Sequence, residues 1–192
     1  MKLKFLLSTS VTLLTLQTLA ADTYKIDPNH SSVGFGVSHM VINTVHGKFN
    51  DFNGTVTLDG KTATDANGTI QAKSIDTGVA GRDKHLKSPD FFDVEKYPTI
   101  TFVSKKAETK DGQTVLVGDF TMHGTTKEIS LPVTVKGPIK DPMGMERIGL
   151  HAKTTINRKE YGLGWNKALE TGGVVVGEEV ELEINAEATK AK

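Results

Sequence analysis

The chain contains no cysteine. That excludes disulfide bridges, thiol chemistry and lipid attachment through an N-terminal cysteine, so the fold must be held by its own packed interior. Neither sign of charge predominates, with 23 Lys and Arg against 23 Asp and Glu. Without a basic footprint, nucleic acid is not an expected partner. Beyond Ala20 no apolar run approaches the ~20 residues that a membrane-spanning helix needs, so no transmembrane span is expected. Linker-like segments and internal repeats are missing too. What remains is one domain of about 170 residues, long enough to bury a core.

Catalytic signatures are equally sparse. His30, His39, His46, His85, His123 and His151 show no zinc-like pairing, so neither a metal site nor a resident cofactor is expected. No serine nucleophile elbow is visible. Gly81-Arg82, Gly162-Leu163-Gly164 and Gly172-Gly173 lack the spacing and the strand-to-helix context of phosphate loops. No catalytic residue is therefore assigned.

What the chain does have is alternation. Val33, Phe35 and Val37 alternate with small residues, and Phe52, Gly54, Val56 and Leu58 with Asn53, Thr55 and Thr57. Ile100 and Phe102 continue the pattern, followed by Leu116, Phe120 and Met122, then by Ile129, Leu131, Val133 and Val135. Ile148, Leu150, Ala152 and Ile156 form another face. The clearest run sets Val180, Leu182, Ile184 and Ala186 against Glu179, Glu181, Glu183 and Asn185. Period two is the signature of strands with one buried face, and about eight such strands follow in order. Asp59-Gly60, Asn67-Gly68 and Asp111-Gly112 read as hairpin turns or loop tips, Asp141 to Gly144 as a proline turn, and Gly137-Pro138 as a break. Thr189 to Lys192 are expected to fray.

Two stretches depart from this pattern. Met1 to Ala20 carries Lys2 and Lys4 ahead of an apolar run and ends in small residues, and it reads as a signal peptide. Residues 21–192 are then the secreted domain, expected in the periplasm. Arg82 to Pro98 packs charge together with Phe91, Phe92 and Tyr97. A short helix near residues 80–90 should end at Pro89, the Phe pair can tuck under a sheet edge, and Pro98 can open the next strand. The run looks like a cap on a β structure. Its Arg82, Asp83, His85 and Asp90 form either an acid–base set or a structural network that satisfies a partly buried loop; the second reading is preferred. Tyr161 and the single tryptophan, Trp165, sit either at a ligand mouth or against a barrel end.

An antiparallel set with one apolar face closes as two sheets or as a barrel. An eight-stranded barrel is either filled by side chains or holds one small ligand, and alternation does not choose between them.

A resemblance does choose. The run R-D-x-H-L-x-S-x-D-F-F-D-V-x-x-Y-P-T-I-T-F beginning at Arg82 is similar to the hallmark of the YceI-like family, secreted bacterial lipid-binding proteins. His30-Ser31, Val45 to Phe49, Ser74 to Gly78, Gly118 to Gly124, Ile156 to Leu163 and Val176 to Val180 agree in order. The resemblance implies a single antiparallel lipocalin-like β-barrel holding a long polyisoprenoid or isoprenoid-quinone-like lipid, with links to stress response and a possible homodimer. Strand alternation then gives the tunnel lining as Val33, Phe35, Val37, Phe49, Phe102, Phe120, Leu131, Val133, Leu150, Leu182 and Ile184. Arg82, His85, Asp90, Tyr161 and Trp165 form a mouth or structural polar cluster. The protein is expected to be a carrier or sequestering protein for an apolar lipid and not an enzyme. The alternatives are a hydrolase or other enzyme acting on a lipid head group at the mouth, and a β-sandwich that binds only another protein.

Overall fold

The computed structural model describes residues 21–170 and 172–191. The expected signal peptide lies outside the described residues. The alternating runs form ten strands: β1 (Asp22–His39), β2 (Asn43–Phe49), β3 (Phe52–Asp59), β4 (Thr62–Gln71), β5 (Ile75–Asp76), β6 (Thr99–Lys110), β7 (Gln113–Met122), β8 (Thr125–Lys140), β9 (Glu146–Asn157) and β10 (Val176–Lys190). Helix α1 spans Ala80–Lys87, and short 3₁₀ turns cover Ala72–Ser74 and Arg158–Tyr161. From β3 the ladder runs through β4, β6, β7, β8 and β9 to β10, and β10 pairs with β1, which pairs back to β3. This is a closed eight-stranded antiparallel barrel.

β1 is the strand that closes it, and it does so by changing partner. Its first residues, Asp22 to Lys25, pair with Leu58 to Thr55 of β3, whereas Val33 to His39 pair with Phe49 to Asn43 of β2. The change happens at an irregularity between Asp27 and Ser32, where the register against β10 slips. Side chains take over from the ladder there. The Asp27 carboxylate accepts from the Asn29 N–H at 3.1 Å and from the Arg147 guanidinium at 3.0 Å, and the Ser31 hydroxyl donates to the Asp27 carbonyl at 2.7 Å. β2 and β5 therefore form a flap on the upper half of the barrel, rather than two further staves taken in chain order.

Three local expectations are corrected. Asn67-Gly68 is not a turn but lies inside β4, where Gly68 faces Gly54 of β3 on one side and Phe102 of β6 on the other. Ladders on both flanks outweigh the dipeptide's local turn preference. Gly137-Pro138 stays within β8 as a bulge, with Gly137 at φ 102° and the register slipping between Lys136 and Ile139. Nor do Thr189 and Lys190 fray. Thr189 pairs with both Lys25 and Arg147, Lys190 pairs with Tyr24, and the Ala191 N–H donates to the Thr23 carbonyl.

Apolar side chains inside the barrel gather at its two ends. One cluster contains Tyr24, Val56, Leu58, Ala63, Leu116, Ile148 and Ala188. The other contains Phe49, Ile75, Ile100, Phe120, Met122, Ile156, Tyr161 and Leu163, with Leu86, Phe92 and Val94 packed against it. Charged residues of the alternating strands face outward and pair across them, as in Lys153–Glu181 at 2.8 Å.

Candidate functional site

Between the two clusters lie two cavities, of about 150 and about 120 Å³. They share Val33, Ile70, Phe120, Leu182 and Ile184 as walls, so they are consecutive lengths of one apolar tunnel. The inward positions of β1, β7 and β10 run through both lengths. The first length is further walled by Phe102, Leu131, Val133 and Leu150, the second by Phe35, Val37 and Phe49. All eleven residues expected by alternation thus face the tunnel.

The second length is roofed by the segment between β5 and β6. α1 ends where Pro89 dictates: Ser88 is extended (ψ 171°) and its N–H donates to the His85 carbonyl. Leu86, Phe91 and Phe92 of this lid reach the cavity. The Phe92 ring meets Phe49 edge-on at 5.9 Å. The lid is fastened at both ends. At its start, the Thr77 N–H and hydroxyl donate to Asp83 at 2.9 and 2.5 Å, while Arg82 donates Nε–H to the Thr77 hydroxyl at 2.7 Å and an Nη2–H to the Thr77 carbonyl at 2.9 Å. At its finish, the Tyr97 ring meets His123 edge-on at 4.4 Å and covers Gly124. A Cβ on Gly124 would lie 2.5 Å from the Tyr97 ring, so glycine is required both there and for the φ of 73°.

The five polar and aromatic residues expected to cluster separate into three places. His85, Asp90 and Trp165 do meet on the lid. The His85 Nε2 lies 2.9 Å from an Asp90 oxygen, and its ring is edge-on to both Phe91 and Trp165, at 5.0 and 5.1 Å. Arg82 belongs instead to the Thr77 fastening. Tyr161 is buried in the barrel wall, edge-on to Phe120 at 5.5 Å, and its carbonyl accepts from His123 Nδ1 at 3.1 Å. Burial raises the Tyr161 pKa, with Glu160 adding to the effect.

Among the described residues no group of three His, Asp or Glu is placed to hold a metal ion. One functional candidate escaped the sequence reading. Arg158 lines the second cavity and is 3% exposed. It sits in an Asn-Arg-Lys-Glu run that looks like a solvated face, and its neighbours behave that way: Lys159 pairs with Glu178 at 2.5 Å and Glu160 with Lys127 at 2.9 Å. The period did carry a signal: Arg158 lies two positions after inward-facing Ile156, and its charge masked that register. Its guanidinium donates to the carbonyls of Gly177 at 2.8 Å, Val176 at 3.3 Å and Leu163. Burial lowers its pKa, and Glu178 opposes that from a distance.

The model of the YceI-like domain matches residues 24–188. A UPF0312 protein of Staphylococcus aureus is 38% identical over 167 residues, spanning 85% of this chain and 95% of its own. Among solved structures, BcnA of Burkholderia cenocepacia superposes with a TM-score of 0.74 at 25% identity, covering 85% of this chain and 99% of its own. A polyisoprenoid binding domain from Saccharophagus degradans, implicated in plant cell wall breakdown, superposes with a TM-score of 0.67 over 88% of this chain and 98% of its own. At 16% identity that likeness is one of fold.

Proposed function

The chain belongs to the YceI-like family, and from that premise we propose that it carries or sequesters one long-chain apolar lipid, isoprenoid-like in shape, inside the barrel. The observation that supports this is the continuous apolar tunnel beneath an aromatic lid. Sharing a fold with a polyisoprenoid binding domain is consistent with it. The driving force is removal of apolar surface from water, ~0.8 kcal/mol for each buried methylene. Ordering the chain and losing its free motion offset much of that gain. Walls of Val, Ile, Leu and Phe select for width and length, so lipids differing only in saturation or in a few carbons should compete. The basic and apolar leader, Met1 to Ala20, supports a periplasmic setting for this exchange.

The lid's His85–Asp90 pair is the nearest approach to acid–base chemistry. Both side chains are largely open to water, at 42% and 57% exposure, and the hydroxyl between them, Ser88, donates to the His85 backbone carbonyl at 2.7 Å, so binding is the reading the geometry favours. Native mass spectrometry of protein gently purified from a lipid-containing host should show one non-covalent adduct, whose identity lipid extraction then gives. Only apo mass in such spectra would count against carriage. Turnover of the extracted lipid on incubation with the protein would instead establish an enzyme.

A further inference from the structure

The hairpin between β1 and β2 turns at Met40, Val41 and Ile42. All three are exposed, Val41 and Ile42 at 73% and 81%. The Ile42 N–H closes the turn on the His39 carbonyl at 3.2 Å, with φ 51° at Met40 and 63° at Val41. Two successive residues in the left-handed region are what Asn-Gly ordinarily supplies in a hairpin. A β-branched residue there is an outlier, because its Cβ crowds the following carbonyl oxygen. The other described non-glycine residues with positive φ are Asp93, Asp111 and His123, types that tolerate it. The apolar turn at the opposite end follows the rule: Met143 is just as exposed as Ile42, but Gly144 takes the positive φ of 81°. Met40 and Val41 thus combine backbone strain with apolar surface left in water, and packing within the chain offsets little of either. Strain of this kind persists where function uses it.

The turn stands beside the lid end of the tunnel. The Met40 N–H donates to the Val175 carbonyl at 2.8 Å, and Val176 and Val37, close by on β10 and β1, line the lid-end cavity. Val79, also exposed, opens the lid two residues after Thr77, which lies against Gly47 of β2. Three side chains on a convex tip fall far short of the ~800 Å² per partner that a stable protein interface buries. A bilayer sets no such requirement, since each apolar side chain that enters the acyl boundary contributes by itself. Charge does not draw the chain to a surface, with 23 basic and 23 acidic residues, so insertion has to supply the attraction.

Resting on the carrier reading, we propose that Met40, Val41 and Ile42 insert into the surface of a lipid bilayer and hold the lid end of the barrel against it. Lipid then passes between bilayer and tunnel without crossing water. So small a tip docks weakly and reversibly, which suits a protein that must leave with its cargo.

The test adds mature protein to vesicles of phosphatidylcholine, which carry no net charge, and reads the bound fraction by co-sedimentation. The wild type should partition onto them, equally at low and high salt. Met40→Asn combined with Val41→Gly installs the residues that the turn favours. That variant should unfold at an equal or higher denaturant midpoint and keep its lipid adduct in native mass spectra, yet partition about tenfold or more weakly for the loss of two inserted side chains. Ile42→Ser, one position beyond the strain, is the second variant and should weaken partition in the same direction. Wild type that stays off the vesicles, or variants that bind them as well as wild type does, overturn docking at this tip. So does a wild-type dimer that the double substitution splits, without vesicle binding, which would make a second copy the occupant. Docking by protein that shows no lipid adduct overturns the carrier reading and leaves the docking surface standing.

Discussion

The two ends of the barrel are closed by different means. At the Tyr24 end the strands close it themselves. Tyr24, Leu58, Ala63, Leu116, Ile148 and Ala188 are each no more than 2% exposed, and tight hairpins join β3 to β4 and β6 to β7. Polar groups there are paired around the rim. The Tyr24 hydroxyl donates to Glu146 at 2.5 Å, and Arg147 bridges Asp27, Asp141 and Glu187 at 3.0, 2.8 and 3.5 Å. At the other end closure falls to the lid, with Trp165 packed against its His85 and Phe91. The lid's Leu86, Phe92 and Val94 are only partly buried, and the charge at this end, Arg158, lies inside rather than on the rim. Space is kept towards both ends, about 150 Å³ on the Tyr24 side and about 120 Å³ beneath the lid. What differs is the cover, because the lid can come away without unpairing a stave.

The largest effect should come from the end that the staves close. Leu58→Ala is expected to lower unfolding free energy by about 2–5 kcal/mol, as buried Leu truncations do, and to leave lipid content unchanged. Denaturant melts and native spectra on the same sample check both, and a loss below about 1 kcal/mol would remove the contrast between the ends.

Next comes the rim. His30 and then Arg147 hold the Asp27 carboxyl down at about 2, against its ordinary 3.8. The folded state therefore favours the ionised form. Its stabilisation is full above about pH 4 and is lost as pH falls through about 2. Asp27→Asn should cost about 1.5–3 kcal/mol at neutral pH, the range for hydrogen bonds to charged groups, and its deficit should close across that acid window. A deficit independent of pH would assign the effect to packing.

At the lid the effect should be smaller and local. Arg82→Ala removes two donors to Thr77, worth about 1 kcal/mol. Amide exchange should quicken over residues 80–97 and not around Tyr24. Uniform quickening would mean that the lid does not open separately from the barrel.

The smallest effect on stability is expected within the tunnel. Ile184 borders both cavities, so Ile184→Trp places its indole in free space. Apo stability should hold within about 1 kcal/mol, where a filled core would lose about 1–3, and lipid uptake should fall. Glu181→Trp, on the outer face, is the control. Destabilised apo protein with undiminished uptake would put the lipid outside the barrel.

The inward face of nearly every strand was legible in the residues, because side-chain direction in a strand repeats every two positions and needs no knowledge of the partner. Leu182 and Ile184 face in while Glu181 and Glu183 face out on that ground alone. The lid helix was legible too, since Pro89 stops it locally. What tertiary structure decided is whatever depends on a neighbour distant in sequence. Ladders on both flanks kept Asn67-Gly68 within a strand and held Thr189 and Lys190 in order. β1 changes partner at Asp27 because Arg147, 120 residues away, holds the bend. Alternation gave the same inward list for a solid core as for a hollow one, and the space between the walls exists only once eight strands close and the lid spans one end. Arg158 is the sharpest case. Alternation from Ile156 points it inward, but a charge there looks out of place until the carbonyls of Gly177 and Val176 at the start of β10 and of Leu163 accept from it.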